Sequence, residues 1–358
     1  MKGPAILVRG VAAVVAFVAA ALAAVSHEVL MAGSFMLIAV LLAMAARPVL
    51  GPVFLALAAK IGQGVLEVGM DFGPEKWILV VLVWLLAWSG VALLSEARPA
   101  GRLAQRSLGL IAPAVFGITL LWLWEAVVLG TGVSPVILPA PSAIGAAFAD
   151  SRAILWADFL QTFVKGALSG YVLGCGAAVL TAIAVERSVF LQRGLLPVGN
   201  FVAALPIVGI APILVMWFGF DWQSKAAVVV VMVFFPMLVN AVEGLKAGEQ
   251  MQRDLMATYS ASFWQSLFKL RLPAAMPFMF NGLKIATTLA MIGAIVAEFF
   301  GSPTMGMGFR ISTEVGRLNL DVVWLEIAVA AIAGSLFYGS VAMIEKGVTF
   351  WHPSQRNR

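Results

Sequence analysis

The chain has 358 residues, 62% of them apolar and 11% charged, with a mean hydropathy of +0.99. A soluble domain carries about 45–50% apolar and about 25% charged residues, so this excess cannot be hidden in one water-soluble core and the chain reads as an integral membrane protein. That composition excludes a soluble enzyme, a nucleic-acid-binding module and, with Cys175 the sole cysteine, a disulfide scaffold, and the +5 charge is expected to cluster in cytoplasmic loops.

A spanning helix needs about 20 apolar residues, and ten runs qualify in chain order. Ala5–Val25 comes first. It has no small-residue cleavage site leading into a polar mature domain, so it reads as a span and not a secretory signal. Val29–Ala46 is stopped by Arg47-Pro48. Val49–Val68 is weak, because Lys60, Gln63 and Glu67 interrupt it, and an interfacial or re-entrant helix is its alternative. Trp77–Leu94 is strong. The basic stretch Ser95–Ser107, with Arg98, Arg102 and Arg106, is the first composition break. Then follow Leu108–Leu129, Phe159–Val185, Leu195–Phe218, Ala226–Leu245, Ala274–Phe300 and Val322–Ile344.

Residues 1–95 are therefore expected to form an added set of about four spans and 96–107 a basic cytoplasmic linker. Residues 108–350 would form a six-span core and 351–358 a cytoplasmic tail. With a cytoplasmic N-terminus and ten spans, 15 of the 23 Lys and Arg lie in cytoplasmic loops and 5, including Lys225 and Arg310, in outer loops. This is the expected inside excess. Both termini are then cytoplasmic.

The informative loop is 246–273. Read at helical spacing, Ser262, Gln265, Ser266 and Lys269 form one face and Phe263, Trp264, Leu267, Phe268 and Leu270 the other, an amphipathic helix too short to span. Pro273 is expected to end it. Such a helix could lie on the lipid surface or dock its aromatic end in a partner groove.

This loop resembles the cytoplasmic EAA loop of binding-protein-dependent ABC importer permeases. Asp254-Leu255-Met256 stands at Glu-Ala-Ala, Ser260 at Gly, Leu270 at Ile and Leu272-Pro273 at Leu-Pro. Spacing and Leu-Pro are kept; Glu-Ala-Ala and Gly are not, and Ser accepts positive φ less readily than Gly. Ile137-Leu-Pro-Ala-Pro-Ser142, Leu205-Pro-Ile-Val-Gly-Ile-Ala-Pro212, Trp217-Phe-Gly219, Phe235-Pro236 with Asn240, Gly282-Leu-Lys-Ile285 and Ala297-Glu-Phe299 with Gly301 are similar to the nitrate/sulfonate/taurine type.

The resemblance implies an all-α polytopic fold with a six-span type I permease core. It also implies a second permease copy or a homologous one, two ATPase subunits, a solute-binding protein outside, and a bacterial inner-membrane location. It places ATPase coupling at Asp254, Ala257, Ser260, Ser262, Phe263, Gln265, Leu267, Lys269 and Pro273. ATP and Mg would be held by the partner subunits and no cofactor by this chain, which has no Gly-x4-Gly-Lys-Ser/Thr phosphate loop. Substrates of such permeases are small, mostly anionic solutes such as nitrate, sulfonates or taurine. The 254–273 and 282–299 stretches look closest to carriers of thiamine-pyrimidine precursors or riboflavin.

Six residues are candidates for the translocation pathway, each with a structural alternative. Glu298 either lines a pore or is paired or solvated at the outer end of its span. Lys284 either meets an anionic substrate, pairs between helices or snorkels. Asn240 and Asn281 either line the path or hydrogen-bond between helices. Pro206, like Pro212 and Pro236, marks a cavity or a tolerated kink. Met216 lines the path or packs. Cys175, between Gly174 and Gly176, points to close helix packing. The alternative function is a secondary transporter or channel working alone, which would need intramembrane coupling-ion acids. A membrane enzyme would need a polar constellation, and the two histidines, His27 and His352, are isolated.

Overall fold

The computed structural model describes residues 51–67, 72–96, 102–203, 205–301 and 304–351, which are helical with no strand among them. The first two apolar runs, 5–25 and 29–46, lie outside the described residues. The chain divides into two compact units, at residues 146 and 147.

In the first unit, α1 (Gly51–Glu67), α2 (Pro74–Glu96) and α3 (Arg102–Thr131) pack together. The weak third run is thus a helix of 17 residues, about 26 Å long and a little short of a bilayer core, with Lys60 exposed. Val65, Phe72, Val80 and Ala126 form its buried centre. The Trp122 indole N–H donates to the Gly62 carbonyl at 3.2 Å. The Pro-Ala-Pro-Ser142 segment opens α4 (Pro141–Phe159), with Pro141 in the first turn, where its missing N–H costs nothing. The buried Glu125 carboxylate accepts from the Ser142 N–H at 2.9 Å and its hydroxyl at 2.6 Å, an acidic group on a helix N-terminus.

In the second unit the helix continues without a break through a π-helical stretch, Leu160–Leu168, into α5 (Ser169–Arg187). The candidate span is 141–187, 47 residues. It starts well before the predicted Phe159, because Asp158 is buried and paired inside the unit and does not break the helix. The predicted span Leu195–Phe218 is not one helix: α6 (Val189–Ala203) and α7 (Ile207–Phe218) are separated at Pro206. Proline fixes its own φ and pushes the preceding residue out of the helical region. Pro206 caps α7 in an extended conformation (φ −68°, ψ 112°).

Next come α8 (Trp222–Lys246), α9 (Gln250–Thr258), a short turn α10 (Phe263–Ser266), α11 (Leu272–Phe300), α12 (Met307–Gly316) and α13 (Leu320–Val348). Six helices among the described residues are long and apolar enough to cross a membrane. The α8 helix is central and packs on α5 and α11. Its Val229, Val233, Met237, Ala241 and Leu245 meet Tyr171, Cys175 and Ala178 on one side and Met279, Ala286 and Ala290 on the other.

Small residues set the approach of α5 to α8. A Cβ added at Gly170 would stand 2.5 Å from Val229 Cβ and 2.7 Å from the Ala226 carbonyl, and one at Gly174 would stand 3.0 Å from Val230 Cα. Gly170 and Gly174 are one helical turn apart, the small-xxx-small spacing that lets membrane helices touch. Cys175 is buried beside them and free. We expect Gly170→Leu to force α5 off α8 and to cost about 1–3 kcal/mol, as overpacking does; the fall of the unfolding temperature in detergent measures it.

Candidate functional site

Loop 246–273 is built from two caps. α9 has no buried residue. Arg253 folds back and donates to the Gly248 carbonyl at 2.7 Å and to the Lys246 carbonyl, closing the C-terminal end of α8 with a cation. At the end of α9 the Ser260 N–H bonds the Ala257 carbonyl and the Ala261 N–H the Met256 carbonyl, both at 2.9 Å. This is the Schellman pattern, whose turn residue is usually glycine. Ser260 holds it at φ 51°. Ser262 then caps α10, its hydroxyl accepting from the Gln265 N–H at 3.3 Å while the Gln265 side chain accepts from the Ser262 N–H at 2.8 Å, a capping box. Ser262 and Gln265, predicted as one polar face, are thus engaged in starting the helix.

The predicted stop at Pro273 does not occur. From Phe263 to Phe300 the chain is one helix of 38 residues. A π turn over Leu267–Arg271, with the Leu272 N–H on the Leu267 carbonyl, widens the backbone just before Pro273 and accommodates its missing N–H.

The predicted apolar face also divides. Leu267 is fully buried, and Phe263 lies under the Arg187 guanidinium at 4.7 Å. Both hold the helix to its own protein. Arg271 pairs with Glu186 at the end of α5, so α5 grips the helix twice. Trp264 and Phe268 point outward, 52% and 63% exposed and stacked at 6.0 Å. Exposed Met251, Leu255 and Tyr259 belong to the same loop. Asp254, Ala257 and Lys269 are exposed, and Asp254 accepts from Gln250 at 2.9 Å.

Among the pathway candidates, Asn281 and Lys284 turn to neighbouring helices, and Asn240 also donates back along its own. Asn281 donates to Asn240 at 3.1 Å, and Asn240 to the Pro236 carbonyl at 2.8 Å. Lys284 pairs with Glu345 on α13 at 2.8 Å. Met216 and Pro206 are exposed.

Glu298 is buried at the far end of α11 and belongs to a cluster. Three consecutive N–H groups at the start of α12 are each captured: Gly306 by Asp158 at 2.6 Å, Met307 by the Thr162 hydroxyl at 2.7 Å and Gly308 by Glu298 at 2.8 Å. Thr162 in turn donates to Glu298 at 2.9 Å. The first N–H groups of a helix have no internal partner and carry its positive dipole end, so α12 is pinned by anions from α4 and α11. Arg310 pairs with Asp158 at 2.9 Å. Lys225 and Arg310, expected in outer loops, belong here: Lys225 is fully buried and donates to the Phe220 and Gly301 carbonyls.

Against this geometry stand the comparisons. Residues 170–350 match the family described as binding-protein-dependent transport system inner membrane component. The chain belongs to this family. It is an ABC importer permease of the nitrate/sulfonate/taurine type. A probable ABC transporter permease protein of Haemophilus influenzae is 30% identical to it over 232 residues, covering 65% of this chain and 94% of the relative. The formylaminopyrimidine transport permease protein ThiX of Halalkalibacterium halodurans is 28% identical, covering 70% and 100%. The taurine transport system permease protein TauC of Escherichia coli is 28% identical, covering 71% and 92%. Family members are multi-pass transport permeases for small solutes and not enzymes.

In this permease the sequence reading did not find Asp158, Thr162, Lys225, Arg310 and Glu326 as a group. The available signal was Asp158 and Glu326, each flanked by apolar residues. Ser260 gives a further expectation. A left-handed non-glycine residue costs roughly 1–2 kcal/mol, and glycine gives back up to about 1 kcal/mol in chain entropy. Ser260→Gly is therefore expected to be neutral or slightly stabilising and Ser260→Val to loosen the turn, read as slower or faster proteolysis of the loop.

Proposed function

We propose that loop 246–273 is where this permease receives the work of two ATPase subunits, which hold ATP and Mg. The observation that carries this is the stacked, exposed Trp264–Phe268 pair at the start of one continuous 38-residue helix, about 57 Å long. Exposed aromatic residues on a rigid element fit a partner groove, and a rigid helix passes displacement from its end into the bundle. In this reading Met251, Leu255, Tyr259, Trp264 and Phe268 face the ATPase, and Asp254, Ala257, Ser260, Ser262, Phe263, Gln265, Leu267, Lys269 and Pro273 shape the loop around them.

A second permease copy or a homologous one completes the pathway, a solute-binding protein delivers the solute, and lipid covers the remaining apolar surface of the helices. The excess of positive charge in loops that include 246–273 supports a bacterial inner-membrane orientation with this loop and both termini cytoplasmic. Two relatives are named for formylaminopyrimidine and taurine transport, which supports a small polar solute as cargo. Between α11 and α13 lies an open recess of about 520 Å³ with Thr288, Ser335 and Tyr338 in its lining. These hydroxyls are the part of the pathway we assign to this chain, in place of the amide and lysine groups engaged between helices.

The test is reconstitution in vesicles with the ATPase subunits and binding protein. Uptake that requires all components and ATP is expected. Uptake by the permease alone would favour a secondary transporter or channel.

A further inference from the structure

At the α12 end of the second unit, five ionisable side chains meet away from solvent. Asp158 and Glu326 are 0% exposed, Glu298 1% and Lys225 0%, with Arg310 reaching in from α12. Their charges do not cancel: three carboxyl groups face two cations. The hydrogen bonds show which carboxyl is in surplus. Asp158 receives the Gly306 N–H and the Arg310 guanidinium on its two oxygens. Glu298 receives Thr162 and the Gly308 N–H, with Lys225 as its neighbouring cation. Glu326 receives nothing: neither of its buried oxygens has a hydrogen-bond partner, and the Asp158 carboxyl is a charged neighbour.

Two neighbouring carboxylates cannot both stay ionised this far from solvent. A buried charge without a partner is disfavoured by lost hydration, and a like charge beside it adds to the cost. A proton between them removes both objections, because the protonated group becomes a donor and the other the acceptor. We propose that this cluster binds one proton, carried by Glu326 and donated in a hydrogen bond to Asp158. Asp158 is the acceptor because its ion pair with Arg310 and its bond from Gly306 favour the carboxylate. The charged groups near Glu326 are Asp158 on α4, Glu298 on α11 and Arg310 on α12, with Lys225 on α8 beside Glu298.

A metal cation is the rival occupant. It needs several oxygen ligands at once, whereas the oxygens of Asp158 and Glu298 are already engaged by donors. Among the described residues no group of three or more His, Cys, Asp or Glu is placed to hold a metal ion. The consequence of the proton is mechanical. It fastens α13 to α4 at the point where α4 and α11 pin α12, so the far end of the bundle from loop 246–273 is held by one neutral and two ionic links.

Infrared spectroscopy of the purified full-length permease at neutral pH tests this without any transport partner. The wild type is expected to show the carbonyl stretch of a protonated carboxylic acid, sensitive to deuterium exchange and indifferent to sodium or divalent cations. Glu326→Gln should lose that band and keep the wild-type unfolding temperature, because its amide donates the same hydrogen bond without a titrating proton. Glu326→Leu, which offers no donor, should unfold earlier. Glu298→Gln should keep the band. The proposal is overturned if the wild type lacks the band, if the band depends on an added cation, if it survives Glu326→Gln, or if Glu326→Gln cannot be obtained folded.

Discussion

Replacing Trp264 and Phe268 together by alanine is expected to leave a folded, membrane-inserted permease that no longer couples to its ATPase. Both side chains are more than half exposed and stack on each other, so truncation removes little that holds the chain's own core. Buried aromatic anchors carry most of the energy of an interface, with losses of about 2–4 kcal/mol each on truncation. A loss of about 3 kcal/mol is about a hundredfold in Kd. Titrating the ATPase subunits onto the reconstituted permease should show this weakening, with ATP-dependent uptake falling in parallel and the unfolding temperature unchanged. Leu267→Ala is the contrasting variant. It opens a hole in the core under the same helix and should cost about 2–5 kcal/mol of stability. Unchanged ATPase affinity in the aromatic double variant would sink the docking assignment.

The contrast explains what could be read from the sequence of this loop. The spacing Asp254 to Pro273 marks the loop, and the alternation of Phe263, Trp264, Leu267 and Phe268 with polar residues marks a helix. A helical wheel treats those four residues as one face, although the structure buries Leu267, lays Phe263 under Arg187 and exposes the other two. That division depends on Glu186 and Arg187, at the end of a helix more than seventy residues earlier in the chain. The same holds for Pro273. Its missing N–H is a local fact and argues for a helix stop, but a π turn in the preceding five residues carries the helix past it.

The spans themselves follow from apolar runs. The break at Pro206 is legible only as one of three prolines, and its neighbours Pro212 and Pro236 lie inside helices. Charge counting by loop assigns Lys225 and Arg310 a side of the membrane, but a count of positive residues has no means of seeing that each is drawn into a cluster with carboxyl groups.

Glu298→Ala is expected to be among the most damaging single changes outside the loop. The residue is 1% exposed and receives the Thr162 hydroxyl and the Gly308 N–H, and it is the neighbouring anion of the fully buried Lys225. Alanine leaves two donors without an acceptor and Lys225 with Asp221 as its remaining anionic neighbour. Each buried polar group left unpaired costs about 1–3 kcal/mol, because it cannot recover its hydration. Close packing adds to this: a Cβ at Gly308 would stand 3.0 Å from Glu298 Cβ, so the start of α12 rests directly on this side chain. Glu298→Gln keeps the size and one acceptor oxygen and should cost less, with the N–H of Gly308 still satisfied. The order expected in thermal unfolding is wild type, then Gln, then Ala, with protease cleavage rising first in the segment joining α11 to α12. If alanine at this position unfolds no earlier than glutamine, the carboxylate is not what pins α12, and Asp158 and Thr162 hold it without Glu298.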